Sequence, residues 1–249
     1  QAHWIIDRIM QNNPGQTEAL PSFYYLKSDV YKAQGNFEAA EVELIKAIDA
    51  DENYLPAYTG YASLLVARNQ IDAAVEQYQK LIDKKPSASV LSLLGMLEEV
   101  RGNSVEAEKY YRRALELAPD TPIAANNLAW LIAENSQGNL DEALRLAQTA
   151  VTRSQNAAIF YDTLGWVYYK KGLYSPAVEH LRKAVVLNQT EAQKAESDIN
   201  PAFRLRLGIA LASAGDKMNA KKEVAVALQS EKDLTRQEAE QAKSLLASL

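Results

Sequence analysis

A column of small residues repeats along the chain and limits what it can fold into. The residues four and seven positions after each small residue are mostly apolar, and these spacings place side chains on one face of a helix. A small side chain is needed where two helix backbones approach closely, so the column predicts the same tight crossing repeated several times. Its members are Ala2, Ala40, Ala74, Ala107, Ala143, Ala177 and Ala220, with gaps of 38, 34, 33, 36, 34 and 43 residues. We therefore predict a repeat protein whose function lies on a surface of stacked helices.

Each alanine of the column belongs to the second of two predicted helices, and a turn precedes it. Glycine at the turn, as at Gly102, can adopt the left-handed conformation that ends a helix, and Asn69 is the usual substitute. A breaker such as Pro119 follows the second helix. The predicted units are residues 21–54, 55–87, 88–121, 122–157, 158–200 and 201–228.

The two ends of the chain fit the same scheme. Residues 1–14 have the spacing of a second helix, so we expect them to belong to a truncated preceding repeat in a fragment of a longer protein. Residues 190–200 form either an extension of the second helix of the fifth unit or a polar loop, and their content of Glu, Gln, Lys and Ala favours the helix. Residues 234–249, which open with a capping box from Thr235 to Glu238, are predicted to form a C-terminal capping helix.

Residues 88–121 resemble the tetratricopeptide repeat (TPR) family, and residues 158–190 match nearly as well. The first of these segments has Leu94 and Gly95 in its first helix, Gly102 at the turn, and Pro119 at its end. Its second helix carries Ala107, Tyr111 and Ala114. The resemblance implies an all-α, right-handed α-solenoid of helix-turn-helix units.

Composition and motifs argue against an enzyme, a cofactor site and a metal site. The chain has a formal charge of −5 without long runs of one sign, which is unlike a nucleic-acid footprint. It has no cysteine and only two histidines, His3 and His180. Asp7 lies one helical turn after His3, but the sequence offers no third metal ligand beside this pair. Phosphate-loop and hydrolase motifs are absent, and so is a run of apolar residues long enough to span a membrane.

The family resemblance implies that the first helices line a groove for a protein or peptide partner. Carried onto this chain, the groove positions of the fourth and fifth units include two tryptophans in register, with Glu134 and Lys170 beside them. Two interpretations of these tryptophans stay open, because large aromatic residues fill gaps between helices as readily as they form binding hot spots. The predicted partner-binding residues are Asn126, Asn127, Trp130, Asp162, Thr163, Trp166, Tyr169 and Arg206.

The C-terminal half carries a narrower resemblance. The segments 125–130, 161–169 and 215–223 resemble bacterial envelope TPR proteins, among them lipoproteins associated with exosortase and exopolysaccharide systems. This resemblance implies a periplasmic or envelope location, with the cytoplasm as the alternative. The chain lacks the lysine, asparagine and arginine clamp of the heat-shock co-chaperones, since Asp29, Gly60 and Leu93 are among the residues at equivalent positions.

Two other functions remain open beside a scaffold that binds a partner. The chain begins with an orphan helix whose apolar residues lack part of their repeat, and such an end favours self-assembly into a homo-oligomer. The array is also compatible with a regulatory module of an enzyme domain that lies upstream.

Overall fold

The computed structural model describes Trp4, Ile6, Arg8 and residues 19–51, 54–135, 138–195 and 199–249, without the side chains of residues 55, 194 and 195. These residues form helices joined by short connections, and none of them lies in a β-strand. The chain divides into unit 1, Gln1–Leu117, and unit 2, Ala118–Leu249. The predicted all-α fold class is confirmed.

Within each unit, consecutive helices pack as hairpins. Unit 1 contains α1 (Leu20–Ala33), α2 (Phe37–Ala50), α3 (Leu55–Ala67), α4 (Ile71–Lys84), α5 (Ala88–Val100) and α6 (Ser104–Leu117). Unit 2 contains α7 (Pro122–Glu134), α8 (Leu140–Arg153), α9 (Ala158–Lys170), α10 (Tyr174–Ala195), α11 (Pro201–Ser213) and α12 (Lys217–Ala227). A 3-10 helix, Leu228–Asp233, then leads to α13 (Arg236–Ser248).

The column of alanines lies where the two helices of a hairpin cross. Its six members from Ala40 to Ala220 are fully buried. The facing helix is equally restricted, because a Cβ atom built on Gly165 would lie 2.9 Å from the backbone nitrogen of Leu181 and 3.1 Å from the carbonyl oxygen of Ala177. Small residues on both helices therefore allow the close crossing that fixes the orientation of each first helix.

Backbone conformation at the turns explains where the first helices end. Gly102 has a φ of 78° and Asn69 a φ of 58°, and both lie in the left-handed region. Three second helices begin with side-chain caps, at Asn36, Asn139 and Asp216. Oδ1 of Asn36, for example, accepts the backbone N–H of Ala39 at 3.1 Å. The first helices of both units accordingly have nearly the same length, 13 or 14 residues.

Two helices distinguish unit 2, the long α10 and the C-terminal α13. The predicted lengthening of the second helix in the fifth unit is confirmed, because α10 continues to Ala195. Glu191 in this extension accepts the N–H of Ala158 at 2.9 Å and so caps the start of α9, which has no side-chain cap of its own from Ala157. The predicted capping box of α13 is also present, with Thr235 and Glu238 bonded reciprocally.

Some predictions fall on residues outside this description. The orphan helix was predicted over residues 1–14, of which only Trp4, Ile6 and Arg8 are described. The division into six repeats with the given boundaries stays a prediction. Of the helices in the described part of the chain, none is both long enough and apolar enough to cross a membrane.

Candidate functional site

Three first helices of unit 2 and the C-terminal helix surround a pocket of about 230 Å³. Helices α7, α9 and α11 each contribute side chains from the middle or last turn, and the first two turns of α13 close the opposite side. We call this site the Trp130–Trp166 pocket. Its lining residues are Trp130, Glu134, Trp166, Leu205, Arg206, Ile209, Thr235, Gln237, Glu238 and Gln241.

The two tryptophans form part of an aromatic row. The ring centroids of Trp130 and Trp166 lie 6.4 Å apart at an interplanar angle of 24°, and Trp166 stacks on Tyr169 at 4.7 Å. Trp166 is only 9% exposed, and its Nε1–H donates to Oε1 of Glu134 at 2.7 Å. Trp130 is half-buried and packs against the apolar cluster that contains Trp166 and Leu205. Trp166 thus fills the space between helices, and one part of its surface also lines the pocket.

A buried ion pair fixes Arg206 at the base of the pocket. The carboxylate of Asp162 is 1% exposed, and Nε of Arg206 lies 2.9 Å from each of its two oxygens. Nη1 of Arg206 lies 3.5 Å from Oε1 of Glu238, which connects α11 to α13. The guanidinium also lies over Trp130, with Cζ 5.3 Å from the ring centroid, a cation–π contact. Four side chains from four helices therefore hold one another in place.

Burial dominates the protonation of Asp162. Loss of solvent raises the pKa of this carboxyl above its ordinary value, the positive charge of Arg206 acts to lower it, and Glu238 adds a smaller rise. Because Arg206 supplies the compensating charge, removal of the guanidinium would leave a buried carboxylate with no cation.

The other predicted partner-binding residues lie outside the pocket lining. Thr163 is 1% exposed, and Asn126 is 4% exposed. Asn126 donates from Nδ2 to Oδ1 of Asn127 at 3.1 Å, and its own Oδ1 has no hydrogen-bond partner among the described residues. Tyr169 is half-buried between Trp166 and Tyr174. The structure thus brings Trp130, Trp166 and Arg206 together at the pocket.

Sequence reasoning missed the contribution of α13. The family's groove positions lie on first helices only, so they did not include Gln237, Glu238 or Gln241. The capping box at Thr235 predicted the start of this helix but carried no information about which surface the helix would meet. Leu205 and Ile209 were also missed, although they flank the predicted Arg206 on α11.

Comparison with family models assigns the chain to a family. A tetratricopeptide repeat model matches residues 59–122 and 128–195, and a second tetratricopeptide repeat model matches residues 21–54. These matches cover more than half of the sequence, so the chain belongs to the tetratricopeptide repeat family. Proteins of this family generally mediate protein–protein interactions.

Relatives and solved structures agree with this assignment. A TPR repeat-containing protein of Pseudomonas aeruginosa is 26% identical over 182 residues, which cover 72% of this chain and 30% of that protein. The probable biofilm formation methyltransferase WspC of Pseudomonas putida is 38% identical over 91 residues, 36% of this chain and 21% of that protein. The chain thus spans less than a third of either relative. The crystal structure of the APC/C hetero-tetramer Cut9-Hcn1 matches with a TM-score of 0.74 at 16% identity, covering 98% of this chain and 45% of that one.

Proposed function

We propose that this chain is a non-catalytic scaffold that binds an extended segment of a partner protein in the Trp130–Trp166 pocket. The observation that carries this proposal is the pocket itself, where tryptophan side chains and polar groups from four helices converge. Aromatic residues in a concave surface with a few placed polar groups are typical of binding hot spots.

The size and rigidity of the pocket define what it would bind. Its volume of about 230 Å³ is below the roughly 300–1,000 Å³ of sites for drug-sized ligands, so it suits one anchoring side chain of a peptide. Trp166 is held by Glu134, and Arg206 by Asp162, so these groups lose little conformational freedom on binding. We expect modest affinity, because a single anchor offsets only part of the entropy lost on association.

The proposal can be tested by filling the pocket without removing any core contact. Gln241 lines the pocket on the exposed side of α13, so Gln241→Trp would occupy the space of the ligand. Glu240→Trp, one residue earlier on the same helix and outside the lining, is the matched control. Peptides of 12 residues would be selected from a phage-displayed library on the 249-residue chain, and their affinities measured by isothermal titration calorimetry.

We expect Gln241→Trp to abolish binding of the selected peptides, with Glu240→Trp leaving it unchanged. Thermal denaturation of both variants would verify that the fold is retained. A library that yields no binder, or binders insensitive to Gln241→Trp, would overturn the proposal.

We further propose a bacterial envelope assembly, including an exopolysaccharide-related one, as the setting of this scaffold. The support is the resemblance of segments 125–130, 161–169 and 215–223 to envelope TPR proteins. Fractionation of the native host, with the whole protein detected by antibody, tests this setting. Recovery in the cytoplasmic fraction alone would contradict it.

The similarity to WspC favours a second candidate function. Because the matched segment is 21% of a protein named a probable methyltransferase, a repeat array of this type accompanies an enzyme in that relative. A regulatory module of an enzyme is therefore the alternative, and the sequence of the full-length gene distinguishes it from a free scaffold.

A further inference from the structure

We infer that the side chain received by the Trp130–Trp166 pocket is basic, a lysine or an arginine of the partner segment. This inference rests on the proposed function, since it names the chemistry of the ligand at the same site. Charge, the placement of the chain's own cations, and the shape of the pocket each support it.

Carboxylates outnumber cations among the groups that line the pocket. Glu134 and Glu238 are acidic, and Arg206 is the one lining residue with a positive charge. Nε of Arg206 is paired with the buried Asp162, and its Nη1 lies 3.5 Å from Oε1 of Glu238. Two carboxylates therefore already compensate its positive charge, which weakens its attraction for an anionic ligand. A partner carboxylate would face Glu134 and Glu238, whereas an ammonium or guanidinium group would be attracted to both.

The chain itself places a cation over each tryptophan. Arg206 lies over Trp130, and Nζ of Lys170 lies 5.3 Å from the ring centroid of Trp166. Lys170 also pairs with Oε1 of Glu134 at 3.0 Å, while its side chain remains 31% exposed. The ammonium group of Lys170 thus already lies against Glu134 and Trp166 at the edge of the pocket. Because the lysine side chain is flexible, a cation of the partner can take its place.

One feature of the pocket favours the opposite charge. The N-terminus of α13 faces the pocket and carries a partial positive charge from the helix dipole. Glu238 occupies this terminus, since its Oε2 accepts the backbone N–H of Thr235 at 2.9 Å. The negative charge of the capping box thus offsets the dipole at the position where an anionic ligand would bind.

The walls of the pocket match the long stem of a basic side chain. Leu205, Ile209 and the tryptophans provide apolar surface for the methylene groups, as expected for lysine and arginine on apolar surfaces. Gln237 and Gln241 provide amide oxygens that can accept hydrogen bonds from the charged end.

Two isosteric substitutions test the charge without disturbing the fold. Glu238→Gln keeps the capping box, because glutamine also serves at this position, and Glu134→Gln keeps an acceptor for the indole N–H of Trp166. Glu240→Gln is the control, since this carboxylate lies outside the pocket lining and is paired with the exposed Arg236 on α13. The probes are peptides from the displayed library and copies in which a lysine or arginine is replaced by norleucine.

We expect the library to be enriched in lysine or arginine, and the norleucine copies to bind at least about tenfold more weakly, which corresponds to about 1.4 kcal/mol. The double variant Glu134→Gln/Glu238→Gln should lose about tenfold in affinity, with Glu240→Gln within about twofold of the parent. Lys170→Met should instead strengthen binding by about twofold to threefold, because it frees Glu134 for the partner's cation.

The possible failures are distinguishable. A library without binders overturns the proposed function and this inference with it. Peptides that are blocked by Gln241→Trp but carry acidic or only apolar anchors overturn this inference and leave the proposed function standing. Weaker binding in Lys170→Met than in the parent would also overturn it, because Lys170 would then be contacting an acidic ligand.

Discussion

Each unit has a pocket beside its first helices, and the two pockets are similar in size but differ in their lining. The pocket of unit 1 has a volume of about 200 Å³ and is lined by Ser63, Val66, Tyr78, Leu93, Met96 and Leu97. We call it the Met96 pocket. It has no charged lining residue, whereas the Trp130–Trp166 pocket has three. The same repeat architecture therefore supports an apolar depression in one unit and a charged aromatic site in the other.

Single positions of the repeat account for much of this difference. Met96 follows Gly95 directly, and Trp166 follows Gly165 in the same way. The hairpin crossing fixes the backbone at the glycine in both units. The residue that follows the glycine therefore decides whether the pocket wall is aliphatic or aromatic. Met96 is 41% exposed and its flexible side chain can change conformation. Trp166 is held in one orientation by its hydrogen bond to Glu134.

The largest expected effect comes from breaking the ion pair beneath the charged pocket. Arg206→Met leaves the carboxylate of Asp162 buried without a cation, so we expect a loss of about 3–5 kcal/mol in the free energy of unfolding. Urea denaturation followed by circular dichroism measures it. Arg236→Met, which removes an arginine from an exposed pair with Glu240, should cost less than about 1 kcal/mol.

A double variant checks the cause. If the unpaired carboxylate is responsible, Arg206→Met/Asp162→Asn should recover a large part of the stability lost by Arg206→Met alone. Equal losses in the single and double variants would assign the effect to packing of the arginine and contradict the argument.

The second effect compares the hairpin crossing of α9 and α10 with the contact that α3 makes with the preceding hairpin, α1 and α2. A methyl group at Gly165 meets the backbone of α10, whereas at Gly60 it meets only the side-chain ends of Leu44 and Tyr25, each at 3.0 Å. We expect Gly165→Ala to destabilise unit 2 by about 1–3 kcal/mol through overpacking. Gly60→Ala should be nearly neutral, because side chains can move and alanine favours the helix by about 1 kcal/mol. Thermal denaturation of the two variants gives the comparison directly, and similar losses of stability would show that the two helix contacts tolerate a methyl group equally.

The third effect is the pH dependence caused by Asp162. Burial raises the pKa of this carboxyl in the folded state above its value in the unfolded chain. At a pH below the unfolded pKa the carboxyl is protonated in both states, so it does not change the free energy of unfolding. As the pH rises from about 4 through the folded pKa, the free energy of unfolding falls. The slope for one such group is at most about 1.4 kcal/mol per pH unit. Arg206 and Glu238 are the charged groups that influence it.

Asp162→Asn should therefore flatten the stability–pH curve above pH 4. Glu99 in unit 1, whose pKa is also raised by burial, contributes a fall of the same sign and persists in the variant. The measurement is the difference between urea midpoints of parent and variant from pH 4 to pH 8. A difference that does not change with pH would contradict a raised pKa at Asp162.

The sequence predicted the elements that depend on local signals. The alanine column, the left-handed turn residue Asn69 and the capping box at Thr235 each act over a few residues, and the helices follow them. Composition also predicted the extension of α10, but it did not predict which part of the molecule the extension would contact. Its extension brings Glu191 to the start of α9, 33 residues earlier in the chain, and no local pattern indicates such a contact.

The candidate site was predictable only in part. Family positions placed Trp130, Trp166 and Arg206 on first helices, but Asp162 and Arg206 are separated by 44 residues, and their pairing depends on how neighbouring repeats are rotated. The same holds for α13, whose capping box fixes where the helix starts but not which helices it packs against. A small change in the angle between two repeats would separate these groups without altering any sequence signal.

The smallest expected effect concerns the Met96 pocket and tests whether the two pockets differ in function as well as in lining. Met96→Ala should lower the free energy of unfolding by less than about 1 kcal/mol, because the side chain is already 41% exposed. It should leave the affinity of the selected peptides within about twofold of the parent, since none of the residues that bind them would have changed. Isothermal titration calorimetry with the same peptides used for Gln241→Trp measures this. A tenfold loss in Met96→Ala would place the anchor in unit 1, where the apolar lining would select a hydrophobic side chain, and the contrast between the pockets would then be one of ligand preference.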